Sequence, residues 1–171
     1  MFFLNIFFQT NLVMLKIEKR MKITHLLSWG EGEEGKLMKV EEIMTKKLET
    51  IEADAPVYDA IERMIDKRIR SLLVKPLDEK DVYGVITVRD IVYKALGKNL
   101  DLNKTKVGEI TSKPLVCINK GMDVEYAVSL MTKFNITRVF VCDGKEIIGI
   151  VALLDVMASS LIERARGGHG D

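Results

Sequence analysis

Apolar residues at positions 57, 60, 61, 64 and 65 recur at helical spacing and predict a helix running to about Lys67, with Pro56 admissible in its first turn and Asp54 as its cap. The period then shortens. Residues 71–74 and 82–88 are rich in branched apolar side chains and flank the polar stretch 76–80, which predicts a hairpin. Ile91, Val92, Ala95 and Leu96 next share one stripe, a second helix over residues 90–96 that Gly97 can end in a left-handed conformation. The same course runs a second time: Val124, Ala127, Val128 and Met131 on a helix, strands over 138–141 and 147–153 around Asp143-Gly144, and a last helix from about Leu154.

The two courses superpose as sequences. Residues 40–74 lie on 107–141 at a constant offset of 67, with identities at Val40/Val107, Ile51/Ile118, Val57/Val124, Ala60/Ala127, Met64/Met131 and Val74/Val141, and residues 84–92 lie on 149–157 at an offset of 65. The shared positions are mostly apolar, so each unit leaves one apolar sheet face that the other can cover. The predicted fold class is α/β: two βαββα-type repeats, 38–97 and 107–164, packed sheet to sheet about a pseudo-twofold axis, joined by a polar linker at 98–106 and followed by a glycine-rich tail at 165–171.

Composition narrows the chemistry. At 171 residues, 47% hydrophobic and 30% charged, the chain can bury one core. A net charge of +1 gives no general attraction to nucleic acid or to an anionic membrane, so any anion site is local. Cys117 and Cys142 lack CxxC spacing, which points to separate reduced thiols in a cytoplasm rather than to a metal or disulfide framework, and His25 and His169 fall outside both repeats.

Residues 1–37 fit neither repeat. Their apolar stretch is interrupted by Asn5, Gln9, Thr10 and Asn11 and is shorter than the roughly 20 residues of a membrane span. Its lysines follow the apolar run, against the order of a secretory signal. An interfacial helix with Lys16, Lys19, Arg20 and Lys22 at lipid headgroups is one reading. Another is that translation starts at Met38, because residues 32–35 are what a purine-rich ribosome-binding stretch would encode; the N-terminal mass of the native protein decides between them.

The order of elements, Met44-Thr45 at the head of the first repeat, the phrase from Ile69 to Val74 and the run from Gly84 to Asp90 together resemble a tandem pair of cystathionine β-synthase (CBS) domains, a Bateman module. The resemblance covers Met38 to about Arg164. It implies a regulatory module without catalysis that binds adenosine nucleotides (AMP, ADP or ATP) in clefts between the repeats, forms a homodimer shaped as a flat disc, and acts on a separate partner protein. No specific nucleic acid or membrane partner is expected.

Within that frame Thr87 and Asp90 stand where a strand turns into a helix. An ionised carboxylate there can accept both hydroxyls of a ribose, although the same residue commonly caps a helix. Val85, on the strand leading to Thr87, joins this set. Leu115 and Val116 are expected to flank the base, and Thr137 and Arg138 to face phosphates, where a guanidinium binds in a bidentate manner. By symmetry a second cleft would hold Asp155, walled by Arg70 and Ser71 with Leu48 and Glu49 near the base. Ala152 stands there in place of Thr87, and Glu49 brings a carboxylate close, so this cleft ranks second. Arg89 is within reach of a phosphate but reads first as an outward surface charge. Ser159-Ser160 have no histidine partner, and Met64 and Met131 read as packing. The alternatives are a constitutive dimerisation scaffold with empty clefts, a sensor of S-adenosylmethionine, and a membrane or RNA role for Lys16 to Lys22.

Overall fold

A computed structural model describes residues 38–166. The expectations placed on residues 1–37, including the basic stretch Lys16 to Lys22 and His25, and on 167–171, including His169, lie outside the described residues. The first repeat comprises α1 (Val40–Ile43), β1 (Thr50–Ile51), α2 (Val57–Lys67), β2 (Ser71–Val74), β3 (Gly84–Thr87) and α3 (Val88–Asp90), which runs on through a π-helical turn (Ile91–Ala95) and a 3-10 turn (Leu96–Lys98). The second comprises α4 (Val107–Ile110), β4 (Cys117–Asn119), α5 (Val124–Phe134), β5 (Arg138–Asp143), β6 (Glu146–Ala152) and α6 (Leu153–Arg166).

Each repeat makes one three-stranded sheet. β1 pairs parallel with β2, and β2 antiparallel with β3; β4, β5 and β6 repeat that order. A parallel pair needs a crossover, and the amphipathic helices α2 and α5 supply it. Alternation along β2 sends Leu72 and Val74 into a core with Val57, Ala60 and Met64 of α2. In the same way β5 sends Val139 and Val141 against Val124, Ala127, Leu130 and Met131 of α5. The intervening residues, Leu73 and Phe140, point to the other face of each sheet and are also buried, 6% and 2% exposed. They line a common cleft, so the two sheets face each other across it.

The sequence repeat is not the packing unit. Val107 and Ile110 of α4 belong to the core of the first repeat, whereas Met38, just ahead of α1, and Val40 of α1 belong to the core of the second. Isolated bridges follow the same exchange: Lys39 with Asp123 and Pro56 with Lys106, then Thr45 with Ile150 and Val85 with Ser112. Both pairs of bridges are related by the repeat offset, as a pseudo-twofold axis requires. Glycine makes the exchange possible, since a Cβ on Gly84 would sit 2.4 Å from Thr111 Cγ2 and 3.1 Å from the Ser112 carbonyl oxygen. The counterpart Gly149 likewise admits Met44 and Thr45.

Several local expectations change. Asp54 does not cap α2; Pro56 occupies the N-cap position and makes no side-chain cap bond, and the amide of Val57 donates to the Thr105 carbonyl at 2.9 Å. The Met38 carbonyl does the same for Val124. A long-range backbone acceptor thus replaces a local side chain. Gly97 lies within the 3-10 turn, and Asn99, with φ of 52°, takes the left-handed position at the end. Arg68 and Asn135 close α2 and α5 in the same conformation, with φ of 54° and 51°. The strand expected from residue 82 starts at Gly84, because Asp81 holds the amides of Leu77 and Val82 in the preceding loop.

The cysteines are the largest correction. The parallel register sets Cys117 opposite Phe140 and Cys142 opposite Asn119, which leaves the two cysteine Cα atoms 6.1 Å apart and joined in a disulfide. That separation is within the normal span of such a bridge. The expectation of separate reduced thiols fails because spacing in sequence carries no information about a parallel crossover. Among the described residues no helix is long and apolar enough to cross a membrane.

Candidate functional site

The two strand-to-helix junctions place Asp90 and Asp155 at equivalent points of the backbone, and their polar surroundings differ. Asp90 Oδ2 accepts from the Thr87 amide at 2.9 Å and from Thr87 Oγ1 at 2.6 Å, while the Asp90 amide donates back to Thr87 Oγ1 at 3.1 Å. That is a reciprocal capping box. Asp90 Oδ1 accepts from Ser112 Oγ at 3.0 Å and forms an ion pair with Lys94 Nζ at 2.6 Å. Lys94 also donates to the Ile110 carbonyl at 2.9 Å and to Ser112 Oγ at 3.1 Å. Both oxygens of Asp90 are engaged within the chain, and the residue is 7% exposed. Burial pushes its pKa up, but the hydrogen bonds from Lys94, Thr87 and Ser112 together outweigh that and hold the carboxyl below its usual range.

Asp155 is less encumbered. Its Oδ2 accepts from the Ala152 amide at 2.7 Å, with no hydroxyl beside it, and Oδ1 has no hydrogen-bond partner among the described residues. The positions that hold Lys94 and Ser112 in the first repeat carry Ser159 and Thr45 in the second. Ser159 is buried and turns its hydroxyl to the Val156 carbonyl at 2.7 Å.

Beside Asp155 the structure opens a cleft of about 440 Å³. Leu48, Glu49, Arg70, Ser71 and Leu73 form one wall, Ala152, Leu153, Leu154 and Asp155 another, and Arg89, Thr137, Arg138 and Phe140 reach in from the α3 and β5 side. The volume falls in the roughly 300–1,000 Å³ range of small-molecule sites. Lys47, Arg70, Arg89 and Arg138 face Glu49 and Asp155, so cations predominate on its walls. Arg138 donates to Thr137 Oγ1 at 3.2 Å, and its Nε is buried without a hydrogen-bond partner. Burial pushes the Arg138 pKa down; Asp90 opposes that, and Arg70 and Arg89 reinforce it. The guanidinium nonetheless stays charged, and an unpaired buried N–H on a charged group is a strong donor awaiting an acceptor.

Of the residues named from the sequence, Leu48, Arg70, Asp155, Thr137 and Arg138 converge on this one cleft, the one the sequence ranked second. Thr87 and Asp90 are adjacent but bonded to each other. Val85 is tied by both backbone groups to Ser112, at 3.0 Å each way. Val116 packs against the core of the second repeat and accepts from the Phe140 amide at 2.8 Å, and Leu115 donates to the Tyr83 carbonyl at 3.4 Å. None of these five lines the open cleft. Arg89, which the sequence offers both as a phosphate contact and as an outward charge, is exposed, donates to the Asn135 carbonyl at 3.4 Å and lines the cleft rim; sequence reasoning missed Lys47 and Phe140 there. It also missed Lys94, whose position four residues after Asp90 on a helix was a usable signal.

Two α/β repeats exchange their leading segments around a charged cleft, and that arrangement defines the class of fold. The model of the CBS domain family matches residues 40–97 and 107–161, and the chain belongs to that family. An uncharacterized protein of Methanocaldococcus jannaschii is 29% identical over 118 residues, and the mitochondrial CBS domain-containing protein CBSX3 of Arabidopsis thaliana is 32% identical over 113. These matches take in 67% and 64% of this chain, which spans 62% and 55% of the two relatives. Among solved structures, the hexameric CBS-CP12 protein from bloom-forming cyanobacteria superposes with a TM-score of 0.69 at 38% identity, covering 74% of each chain.

Proposed function

We propose that this chain is a non-catalytic regulatory module that binds an adenosine nucleotide, AMP, ADP or ATP, in the cleft beside Asp155 and transmits its occupancy to a partner protein. The observation that carries this reading is a carboxylate with one oxygen unused, at a strand-to-helix junction, across a cleft from arginines of which one has an orphaned N–H. Asp155 Oδ1 accepts a ribose hydroxyl, Arg70, Arg138 and Thr137 take phosphate oxygens, and Leu48 lies against the base. Regulation follows if the ligand binds one arrangement of the repeats better than another.

Calorimetric titration of the full chain with AMP, ADP, ATP and S-adenosylmethionine tests this. Saturable binding of a phosphorylated ligand, weakened about ten- to hundredfold by Asp155→Ala, is the expected result. An affinity unchanged by that substitution rejects the assignment. Preference for S-adenosylmethionine over all three nucleotides moves the reading to a sensor of that ligand.

A second reading, a constitutive homodimeric scaffold, draws on the surface. Val88, Val92 and Leu96 and the equivalent Leu153, Met157 and Leu161 are exposed at four-residue spacing, an apolar stripe on the last helix of each repeat. A second copy of the chain would cover both stripes at once. Sedimentation of the wild type and of Met157→Glu checks this: a dimer that dissociates on substitution supports it, and a wild-type monomer removes it.

A further inference from the structure

We infer that Lys94 is a built-in occupant of the first cleft, so that of two equivalent junctions in this chain only the one at Asp155 is free to take a ligand hydroxyl. The inference rests on the adenosine-nucleotide reading above and adds to it a stoichiometry and the residue that sets it. The Lys94 ammonium lies 2.6 Å from Asp90 Oδ1, and Ser112 Oγ donates to the same oxygen at 3.0 Å. Thr87 supplies two donors to Oδ2. A ribose approaching Asp90 would have to displace a charged donor and offer a neutral one, and charge-assisted bonds are roughly twice as strong as neutral ones.

Three features make this a built device rather than an incidental contact. Lys94 is half-buried and makes a second anchoring bond, to the Ile110 carbonyl at 2.9 Å, which fixes its ammonium on the Asp90 side. Ser112 and Ile110 come from the leading segment of the second repeat, so the contact spans the exchanged interface and is held by the fold on both sides. In the second repeat Ser159, Thr45 and Ala152 stand at the positions of Lys94, Ser112 and Thr87, none of the three gives Asp155 a side-chain hydrogen bond, and the carboxylate lines an open cleft.

Calorimetry of the full chain with ATP as probe gives the test. One site per chain is expected for the wild type, weakened about ten- to hundredfold by Asp155→Ala, and two sites for Lys94→Ser, which installs the side chain that the second repeat carries. A wild-type stoichiometry of two, or a Lys94→Ser protein that folds normally by circular dichroism and still binds one, overturns the proposal. If the wild type binds neither ATP nor AMP, the functional reading falls by itself, and the lock is then judged without ligand. Melting temperatures of Lys94→Ser, Asp90→Asn and the double variant should then show a double loss clearly smaller than the sum of the single losses. Additive losses mean that the two groups do not act on each other, and overturn the lock as well.

Discussion

The two repeats have the same backbone course and hold their sheets together by different means. In the first, the edge strand β1 is tied to the segment after β2 by an ion pair between Lys75 and Glu52 at 2.6 Å, with both side chains about half exposed. At the equivalent places of the second repeat stand Cys142 and Asn119, and there the covalent bond from Cys142 to Cys117 ties the strands beside an ion pair between Lys120 and Asp143 at 2.5 Å. The junctions show the complementary contrast, since Asp90 is fully engaged and Asp155 has an oxygen to spare. Apolar identities shared by the repeats fix where the backbone goes, and a handful of polar differences decide how each sheet is tied and which junction carboxylate has an oxygen to spare.

That contrast can be broken in graded ways. The largest effect belongs to the layer between the sheets: Phe140→Ala should cost about 3–5 kcal/mol in urea unfolding, because a buried aromatic side chain leaves a cavity that its neighbours fill only in part. Its smaller counterpart Leu73→Ala should cost about 2–5 kcal/mol, and equal losses would mean that the sheets meet more symmetrically than their side chains suggest. Reduction comes next. Opening the disulfide, which spans a sequence separation of 25, should lower stability by about 2–4 kcal/mol, whereas Lys75→Met in the first repeat should change it by at most about 1 kcal/mol.

A smaller effect sharpens the comparison of the junctions. Asp90→Ala removes a cap and strands Ser112 and Lys94, at about 1–3 kcal/mol, and Asp155→Ala removes a cap alone, at about 0.5–2 kcal/mol. Chemical denaturation of both variants settles the order, and a costlier Asp155→Ala would contradict it. The smallest expected effect is acid sensitivity. Lys113 and the amides of Leu77 and Val82 hold the pKa of Asp81 down to about 2 from an ordinary 3.8, so its contribution is complete above the unfolded value and is lost as pH falls through the folded one. Asp81→Asn should flatten stability against pH in that window, and an unaltered profile would show that Asp81 contributes nothing there.

Much of the architecture was legible because it is encoded in local periodicity that occurs twice. The helix ending at Lys67, the strand from Ser71 to Val74 and their second copies follow from side-chain spacing alone. Asp155, Arg70 and Leu48 were also legible as a set, since the repeat offset carries each candidate of one cleft to its partner in the other. What failed was long-range. The cap on α2 comes from the Thr105 carbonyl and not from Asp54, and Val116 packs against a core, each decided by a segment distant in sequence.

The amino-acid sequence by itself determined two α/β repeats, their elements and the equivalence of their junctions, because hydrophobic period and internal repetition are properties of the chain read locally. Tertiary structure alone decided the exchange of α1 and α4 between the cores, the bond between Cys117 and Cys142, and the engagement of Asp90 by Lys94 and Ser112. Each of these depends on which distant residues the packed sheets bring within a few ångströms, and a one-dimensional pattern holds no record of that distance.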